Sequence, residues 1–291
     1  MAASIQKVLN IIGLHCSSIL QSITKSSNLV LTGGVALNST TNGQILESGL
    51  FENVYAHPSA SDRGNALGAA LYFLTNVMRI NTPLEKTIIY GGQEFSNKDI
   101  ENDLKNFGIS AEKLDDPCQV GAQIIADGKI LGWFQGRSEL GARALGNRSI
   151  LADPRRENNK NILNLKVKHR EYFRPFAPSI LSERTRDYVI TNTDLPYMTM
   201  TVKVIDEKKS IIPAVTHKDG TARVQSVSLT NNSIYYNLLS KFNDITGVPV
   251  VINTSFNDSG EPIVETPQDA IQCFQKTGID ALIIGSYLLL K

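Results

Sequence analysis

Cysteine, histidine and net charge are all scarce in this chain, and each shortage removes a class of function. Its 291 residues include three cysteines, Cys16, Cys118 and Cys273, and four histidines. The cysteines stand far apart with no CxxC, so neither a disulfide framework nor a thiolate zinc site is expected; buried free thiols are. His15, His57, His169 and His217 are equally scattered, with no HxxxH pair and no zinc-ligand spacing. The formal net charge of +1 argues against a nucleic-acid coat protein, although a local patch could still touch RNA. No apolar run is long enough to cross a bilayer, so no membrane partner is expected. The opening MAASIQKVLNIIGLHCSSIL carries polar residues throughout and reads as an amphipathic helix, not a signal peptide. A soluble, cytoplasmic protein follows. Apolar residues make up 42% of the chain, ample for packed cores, and the length favours two domains.

What the chain does have is one concentrated block of positive charge. Gly136–Arg174 holds ten Lys/Arg against four Asp/Glu, so the remaining 19 basic and 24 acidic residues sum to −5. Gly136, Gly141 and Gly146 punctuate the block. Arginine presents a rigid fork of donors suited to phosphate and carboxylate, and glycine lets backbone approach a ligand closely. The block points to a site for a small, highly charged anion: a nucleotide together with a second phosphorylated substrate.

Along the chain, residues 2–24 read as a helix with apolar positions Ile5, Val8, Leu9, Ile12 and Ile19. A strand at Asn28–Leu31 runs into Thr32-Gly33-Gly34, a helix begins near Asn38, a strand covers Phe51–Tyr55, and a helix covers Gly64–Met78. This strand–helix alternation is an α/β pattern, yet with two strands it resembles half a domain and should expose a sheet edge and apolar surface. The pattern breaks at Asn81-Thr82-Pro83, which places a domain boundary near residue 86. Beyond it, Ser96 with Asp99 signals a capping box, and Pro117 with Gly128 brackets a second helix. Strands are expected at 129–134, 198–204, 222–228 and 249–253, with a last strand at Ala281–Ile284. A helix is expected at Ser233–Phe242, and Thr266 with Asp269 caps another. This second region reads as α+β.

Four polar clusters lie in the second region: Arg137, Arg143 and Arg148; Lys168, His169, Arg170 and Arg174; His217 to Arg223; and Asn253 to Asn257. In a strand, Lys168 and Arg170 would project from one face and grip an anion together. Asn253, Thr254, Ser255 and Asn257 follow an apolar strand, where amide and hydroxyl groups can orient a phosphate or planar carbonyl. Singly, each cluster also fits a solvated face, a turn or a helix cap. In the first region, Gly33-Gly34 before a helix could bring backbone amides to phosphate, and Asp62 could ligate a metal.

The blocks GRSELGARALGNRSILADPR, KHREYFRPFAPS, HKDGTARVQSV and TGVPVVINTSFNDSGEPIVETPQDA, with TGGVALN and SASDRGNALGAA, resemble the O-carbamoyltransferases of nodulation-factor and antibiotic biosynthesis, over essentially the whole chain. The resemblance implies the second half of an actin-like α/β domain over residues 1–86 and a YrdC-like domain with a twisted, mixed sheet over 87–291. It implies formation of carbamoyl-adenylate from carbamoyl phosphate and ATP with Mg²⁺, then transfer to a hydroxyl of a sugar, nucleoside or natural product. Lys168, Arg170 and Arg143 would be catalytic. Arg148, Arg223, Asn253, Thr254, Ser255 and Asn257 would bind the phosphates and nucleotide, with Gly33, Gly34 and Asn38 on the actin-like side. Asp62 matches a metal-binding aspartate, and a transition metal such as iron would belong to the full-length actin-like domain but be absent here. Ala142 stands where the family's pattern has proline. The family's first half-domain, with its histidine ligands, is missing, so a homodimer or a partner supplying that half is expected. Adenylation could survive its absence; transfer should not.

Two other readings remain open on sequence: a non-catalytic nucleotide- or RNA-binding module, and a threonylcarbamoyl-adenylate synthase. Only Tyr172, Phe173 and Phe176 lie near the basic block, which makes base-stacking platforms sparse. Replacing Lys168 or Arg170 by alanine is expected to abolish adenylation and leave the fold intact.

Overall fold

The computed structural model describes residues 1–80 and 89–291. Helix α1 (Ala2–Thr24) leads to β1 (Asn28–Leu31), a 3-10 turn at Gly34–Leu37, α2 (Ser39–Glu47), β2 (Asn53–Ala56) and α3 (Asn65–Tyr72), which continues as a π-helical turn through Val77. β1 and β2 pair in parallel as a two-stranded sheet. The second strand starts two residues later than expected because the Glu52 and Asn53 amides both donate to the Ser27 carbonyl and hold the approach as a turn.

α1 is amphipathic with its apolar side outward. Ile5, Val8, Ile12 and Ile19 are exposed, whereas Asn10 and Ser17 are buried. The inward polar side is satisfied by a network: Gln6 Nε2 donates to Asn10 Oδ1 at 2.7 Å, and Thr41 Oγ1 donates to the same oxygen at 2.8 Å. The exposed apolar surface expected of so short an α/β piece is therefore present, and much of it lies on α1.

The boundary expected near residue 86 lies outside the described residues. On either side of it the chain shares a core: Leu29, Ile45, Phe51 and Val54 belong to one cluster with Val202 and Ala222. α2 crosses the short strand β7 (Thr201–Lys203) so closely that a Cβ on Gly43 would sit 1.9 Å from the Thr201 carbonyl oxygen. Asn42 Nδ2 donates to the Thr199 carbonyl at 2.9 Å, and Thr201 Oγ1 to Ser39 Oγ at 3.0 Å.

The second region contributes α4 (Asn97–Asn106), β3 (Glu112–Lys113), α5 (Pro117–Ala126), β4 (Leu131–Phe134), β5 (Arg148–Ala152), α6 (Asn158–Ile162), β6 (Ala177–Leu181), then β7, α7 (Asp206–Lys209), β8 (Thr221–Arg223), β9 (Gln225–Val227), α8 (Ser233–Thr246), β10 (Val250–Ser255), α9 (Pro267–Lys276), β11 (Ala281–Ile284) and β12 (Tyr287–Leu290). Eight strands form one mixed sheet in the order β3-β12-β11-β4-β5-β10-β6-β9. β4 with β11 and β6 with β9 are parallel; the other pairs are antiparallel. Strand alternation splits the core. Val251 and Ile283 face α5 and α8, while Ile252 and Leu282 face the side where α4 and α9 contribute Ile100, Leu104 and Ile271. Helices thus cover both faces, a mixed α/β arrangement in place of the segregated α+β expected.

The expected caps hold. Ser96 with Asp99 and Thr266 with Asp269 form reciprocal capping boxes, and Pro117 occupies the first turn of α5. Several expectations change. The 198–204 strand shrinks to β7, because Met198 adopts a left-handed φ of 53° that breaks the extended run. The 222–228 strand divides at Val224, with β8 pairing to β7 and β9 to β6. Ala281–Ile284 is followed by a further strand, β12, on which it folds back as an antiparallel hairpin. Of the three cysteines, Cys273 is buried, Cys118 half-buried and Cys16 exposed, the last because α1 has no cover on that side.

Candidate active site

The end of β10 and the turn after α6 build the centre of the site. α6 continues as a π-helical turn, Leu163–Val167, that places Lys168 at its end, and His169 follows with a left-handed φ of 41°. Lys168 and Arg170 are therefore not on a strand. Their convergence comes from this tight helix exit. The Lys168 ammonium is buried and donates to the Ser255 carbonyl at 2.5 Å, Asn257 Oδ1 at 2.6 Å and the Asn257 carbonyl at 2.9 Å. Ser255 Oγ in turn donates to Asn257 Oδ1 at 2.6 Å. Burial, reinforced by the Arg170 charge, pushes Lys168 down to about 7.

Around it lies a cleft of about 390 Å³ lined by five cations, Arg143, Lys168, Arg170, Arg174 and Arg223, against the one carboxylate of Asp258. That carboxylate is held 2.7 Å from His169 Nδ1. Arg170 is fixed by donation from Nε to Asn164 Oδ1 at 2.7 Å and lies over the Phe176 ring at 4.7 Å. Arg223, at the end of β8, has a buried Nε with no partner among the described residues. Burial, then the charges of Arg143 and Arg170, push Arg223 down to about 9. Burial and the Arg63 charge lower Arg143 as well. Closely spaced guanidinium groups that outnumber the carboxylates near them, Asp258 and Glu171, favour an incoming anion. Asn253 and Thr254 also line the cleft; Asn253 Nδ2 donates to Gln225 Oε1 at 2.9 Å and Ser179 Oγ at 3.1 Å, so it ties β10 to its neighbours.

Arg148 has a different place. It is fully buried at the start of β5, over the Phe134 ring at 3.6 Å. Its guanidinium donates to the carbonyls of Gln135, Gly136, Asn147 and Gln93, between 2.8 and 3.1 Å. Those bonds commit the fork to backbone, so Arg148 clamps the glycine-rich loop and does not line the five-cation cleft. Glu139 completes the clamp. Its buried carboxylate accepts from the Leu145 and Asn147 amides, both at 2.7 Å, and burial raises its pKa. Sequence reasoning passed over Glu139, although a lone acid among Gly and Arg in SELGARALG was a visible signal.

The first-region residues stay apart from the cleft. Gly33, with φ of 81°, caps the 3-10 turn that Gly34 opens, and Asn38 caps α2 by accepting from the Thr41 amide at 3.0 Å. Asp62 is exposed at the start of a 3-10 turn, and among the described residues no group of three His, Cys, Asp or Glu forms a metal cage around it. The two regions still meet near the cleft: a Cβ on Gly141 would lie 2.7 Å from the Pro58 carbonyl, so the GARALG loop rests on the loop before Asp62. No helix among the described residues is long and apolar enough to cross a membrane.

Comparison with known proteins adds two family matches. The carbamoyltransferase C-terminus model matches residues 122–291 and the carbamoyltransferase N-terminus model residues 1–71. The nodulation protein NolNO of Sinorhizobium fredii is 43% identical over 298 residues, which cover 100% of this chain and 44% of that protein. The 3'-hydroxymethylcephem-O-carbamoyltransferase of Amycolatopsis lactamdurans is 34% identical over 265 residues, 91% of this chain and 49% of that protein. The chain spans about half the length of the curated relatives it matches. Among solved structures, P. abyssi Sua5 complexed with L-threonine aligns with a TM-score of 0.43 and 16% identity over 58% of this chain and 46% of that one.

Proposed function

The chain belongs to the carbamoyltransferase family, and on that premise we propose that residues 87–291 form a YrdC-like unit that makes carbamoyl-adenylate in the five-cation cleft. Carbamoyl phosphate is opened by water to carbamate and phosphate. A carbamate oxygen then attacks the α-phosphorus of ATP, forming the mixed anhydride and expelling pyrophosphate. Two polyanions must share one pocket for this to occur, and several fixed cations are needed to offset their repulsion. Arg143, Lys168, Arg170 and Arg223 supply those charges and meet the negative charge that develops on phosphoryl oxygens during transfer. Ser255 and Asn257, braced by Lys168, orient the nucleotide, and Mg²⁺ enters with ATP. Arg148 acts through the loop it clamps.

The observation that carries the reading is Arg223, whose buried Nε has no partner among the described residues, in a cleft that already holds four other cations. Transfer of the carbamoyl group to a hydroxyl-bearing small molecule is the second half of the proposal, supported by the name of the cephem-modifying relative. Residues 1–86 would be part of the actin-like portion that performs it. The described residues offer no donor set to join Asp62 around a transition metal.

The test is pyrophosphate release from ATP and Mg²⁺ by this chain, with and without carbamoyl phosphate. Release that depends on carbamoyl phosphate supports adenylation in this chain. Bound ATP with no release would defeat it and favour a binding module.

A further inference from the structure

We propose that the outward side of α1 is a seam for a second copy of this chain, whose own α1 lies antiparallel across it with the two-fold axis at Ile12. Met1, Ile5, Val8, Ile12, Ile19 and Ile23 are 46% to 99% exposed on this side, and Cys16 is exposed among them. Successive helical residues are turned by about 100°, so these positions share an arc of about 80°, with Val8 at one edge and Cys16 at the other. The helix cannot roll to bury them. Its opposite side is held to α2 by Gln6 and Asn10, which bond to Asn38 and Thr41. The packing there is tight, since a Cβ on Gly13 would lie 2.8 Å from Thr41 Cγ2.

The spacing of the stripe identifies what covers it. In a two-fold interface one patch must complement itself, so a residue before the axis meets the residue equally far after it on the second copy. Val8 stands four positions before Ile12 and Cys16 four after. Ile5 and Ile19 stand seven positions to either side, and Met1 and Ile23 eleven. Each apolar residue of the stripe therefore meets another, and Ile12 meets itself. Ile11 and Leu20, also exposed, would face Gly13 and Ser4 under the same rule and lie outside the stripe.

Charge and area agree with this occupant. Lys7 is the one charged side chain in α1, about 140° round the helix from Ile12, so two copies meet without like charges between them. A single lysine is a poor rim for an anionic lipid surface. The exposed parts of the stripe come to about 700 Å² per copy, or about 1,400 Å² for a pair, within the about 1,200–2,000 Å² that specific interfaces bury. No residue of the anion cleft lies on α1, so the seam stands independently of the adenylation reading.

The test is sedimentation velocity on the full chain from about 1 to about 100 µM, together with oxidative cross-linking. A reversible dimer is expected. Ile12→Lys sets two like charges face to face at the axis and should raise the dissociation constant at least about tenfold. Ile11→Lys, at a position 59% exposed against 53% for Ile12 but outside the stripe, should leave it unchanged. Val8→Cys should give a covalent dimer with Cys16 of the second copy under copper–phenanthroline, and adding Cys16→Ser should abolish it. The wild type should not cross-link, because the two Cys16 residues stand about 12 Å apart along the antiparallel pair. The cross-link keeps the test decisive if Ile12→Lys unfolds. A monomer throughout the range, with or without binding to phosphatidylserine vesicles, overturns the seam. So do equal weakening by Ile11→Lys and Ile12→Lys, a Cys16–Cys16 dimer of the wild type, or no cross-link in Val8→Cys.

Discussion

Lys168 Nζ lies 2.6 Å from Asn257 Oδ1, although 89 residues separate them in sequence. This bond joins the helix exit after α6 to the end of β10, the two elements that supply the centre of the cleft. The lysine braces Ser255 and Asn257, and in the proposed function it is also a charge for the substrate.

The dual role separates two variants that sequence treats alike. Lys168→Ala removes the partner of buried acceptors on Ser255 and Asn257, so it should cost about 1–3 kcal/mol of stability as well as pyrophosphate release. Arg170→Ala loses two hydrogen bonds, to Asn164 Oδ1 and to the Pro175 carbonyl, from a half-buried side chain and should abolish release with a smaller stability change. Urea denaturation beside a pyrophosphate assay checks both. Equal stability losses would contradict the bracing role.

The lowered Lys168 pKa predicts a pH dependence with a definite sign. Because the folded value is about 7 against an ordinary 10.5, the unfolded chain holds this proton throughout that window, and Lys168's contribution to stability grows as pH rises through it. Anion binding moves the other way, since the cleft loses a cation above about pH 7. Sulfate keeps its charge over this range and is the suitable probe. Its affinity should weaken from about pH 6 to about pH 8 in the wild type, and that part of the dependence should vanish in folded Lys168→Met.

Arg223 predicts a trade of function for stability. Its buried Nε has no partner among the described residues, and Arg143 and Arg170 repel it. Arg223→Met should raise the stability of the ligand-free chain by about 1–2 kcal/mol while abolishing pyrophosphate release. Thermal unfolding with and without sulfate distinguishes the cases: sulfate should stabilise the wild type and leave the variant unmoved. A destabilised Arg223→Met would mean that the arginine is a structural partner.

Arg148 should behave in the opposite manner. Four backbone carbonyls use its fork, and a lysine cannot reproduce that geometry. Arg148→Lys and Arg148→Ala should therefore both unfold at lower urea, with a loss of about 3 kcal/mol for the alanine. Preserved stability together with a raised KM for ATP would return Arg148 to the phosphate-binding role.

How far sequence reached depended on whether the signal was local. The caps of α4, α5 and α9 rest on residues within one helical turn, and each was legible. β5 and β6 were not. β5 opens with Arg148 inside the basic block, and β6 carries Pro178, a residue that ordinarily argues against a strand interior. Pro178 is tolerated because β9 pairs only from Ser179 onward, leaving no ladder bond on that side to lose. Lys168, Arg170, Arg223 and Ser255 were legible as a group through their motifs, yet their convergence depends on a left-handed His169 that no periodicity announces.

The contact between α2 and β7 decides whether residues 1–80 are an independent unit. Gly43 has no room for a methyl group, because its Cβ would collide with the backbone oxygen of Thr201 and no flexible side chain can move aside. Gly43→Ala must therefore shift the helix away from the strand, and with it Asn42 from the Thr199 carbonyl and Ser39 from Thr201. Shared burial of Ile45 and Val54 with Val202 makes that separation costly, about 3 kcal/mol by the usual scale of core overpacking. The wild type should unfold in one urea transition, followed by both circular dichroism and the fluorescence of the single tryptophan, Trp133, buried in β4. In Gly43→Ala the two probes should part, with helix signal lost before Trp133 is exposed. Coincident transitions in the variant at wild-type stability would show that the two regions do not depend on this contact, and that residues 89–291 stand without it.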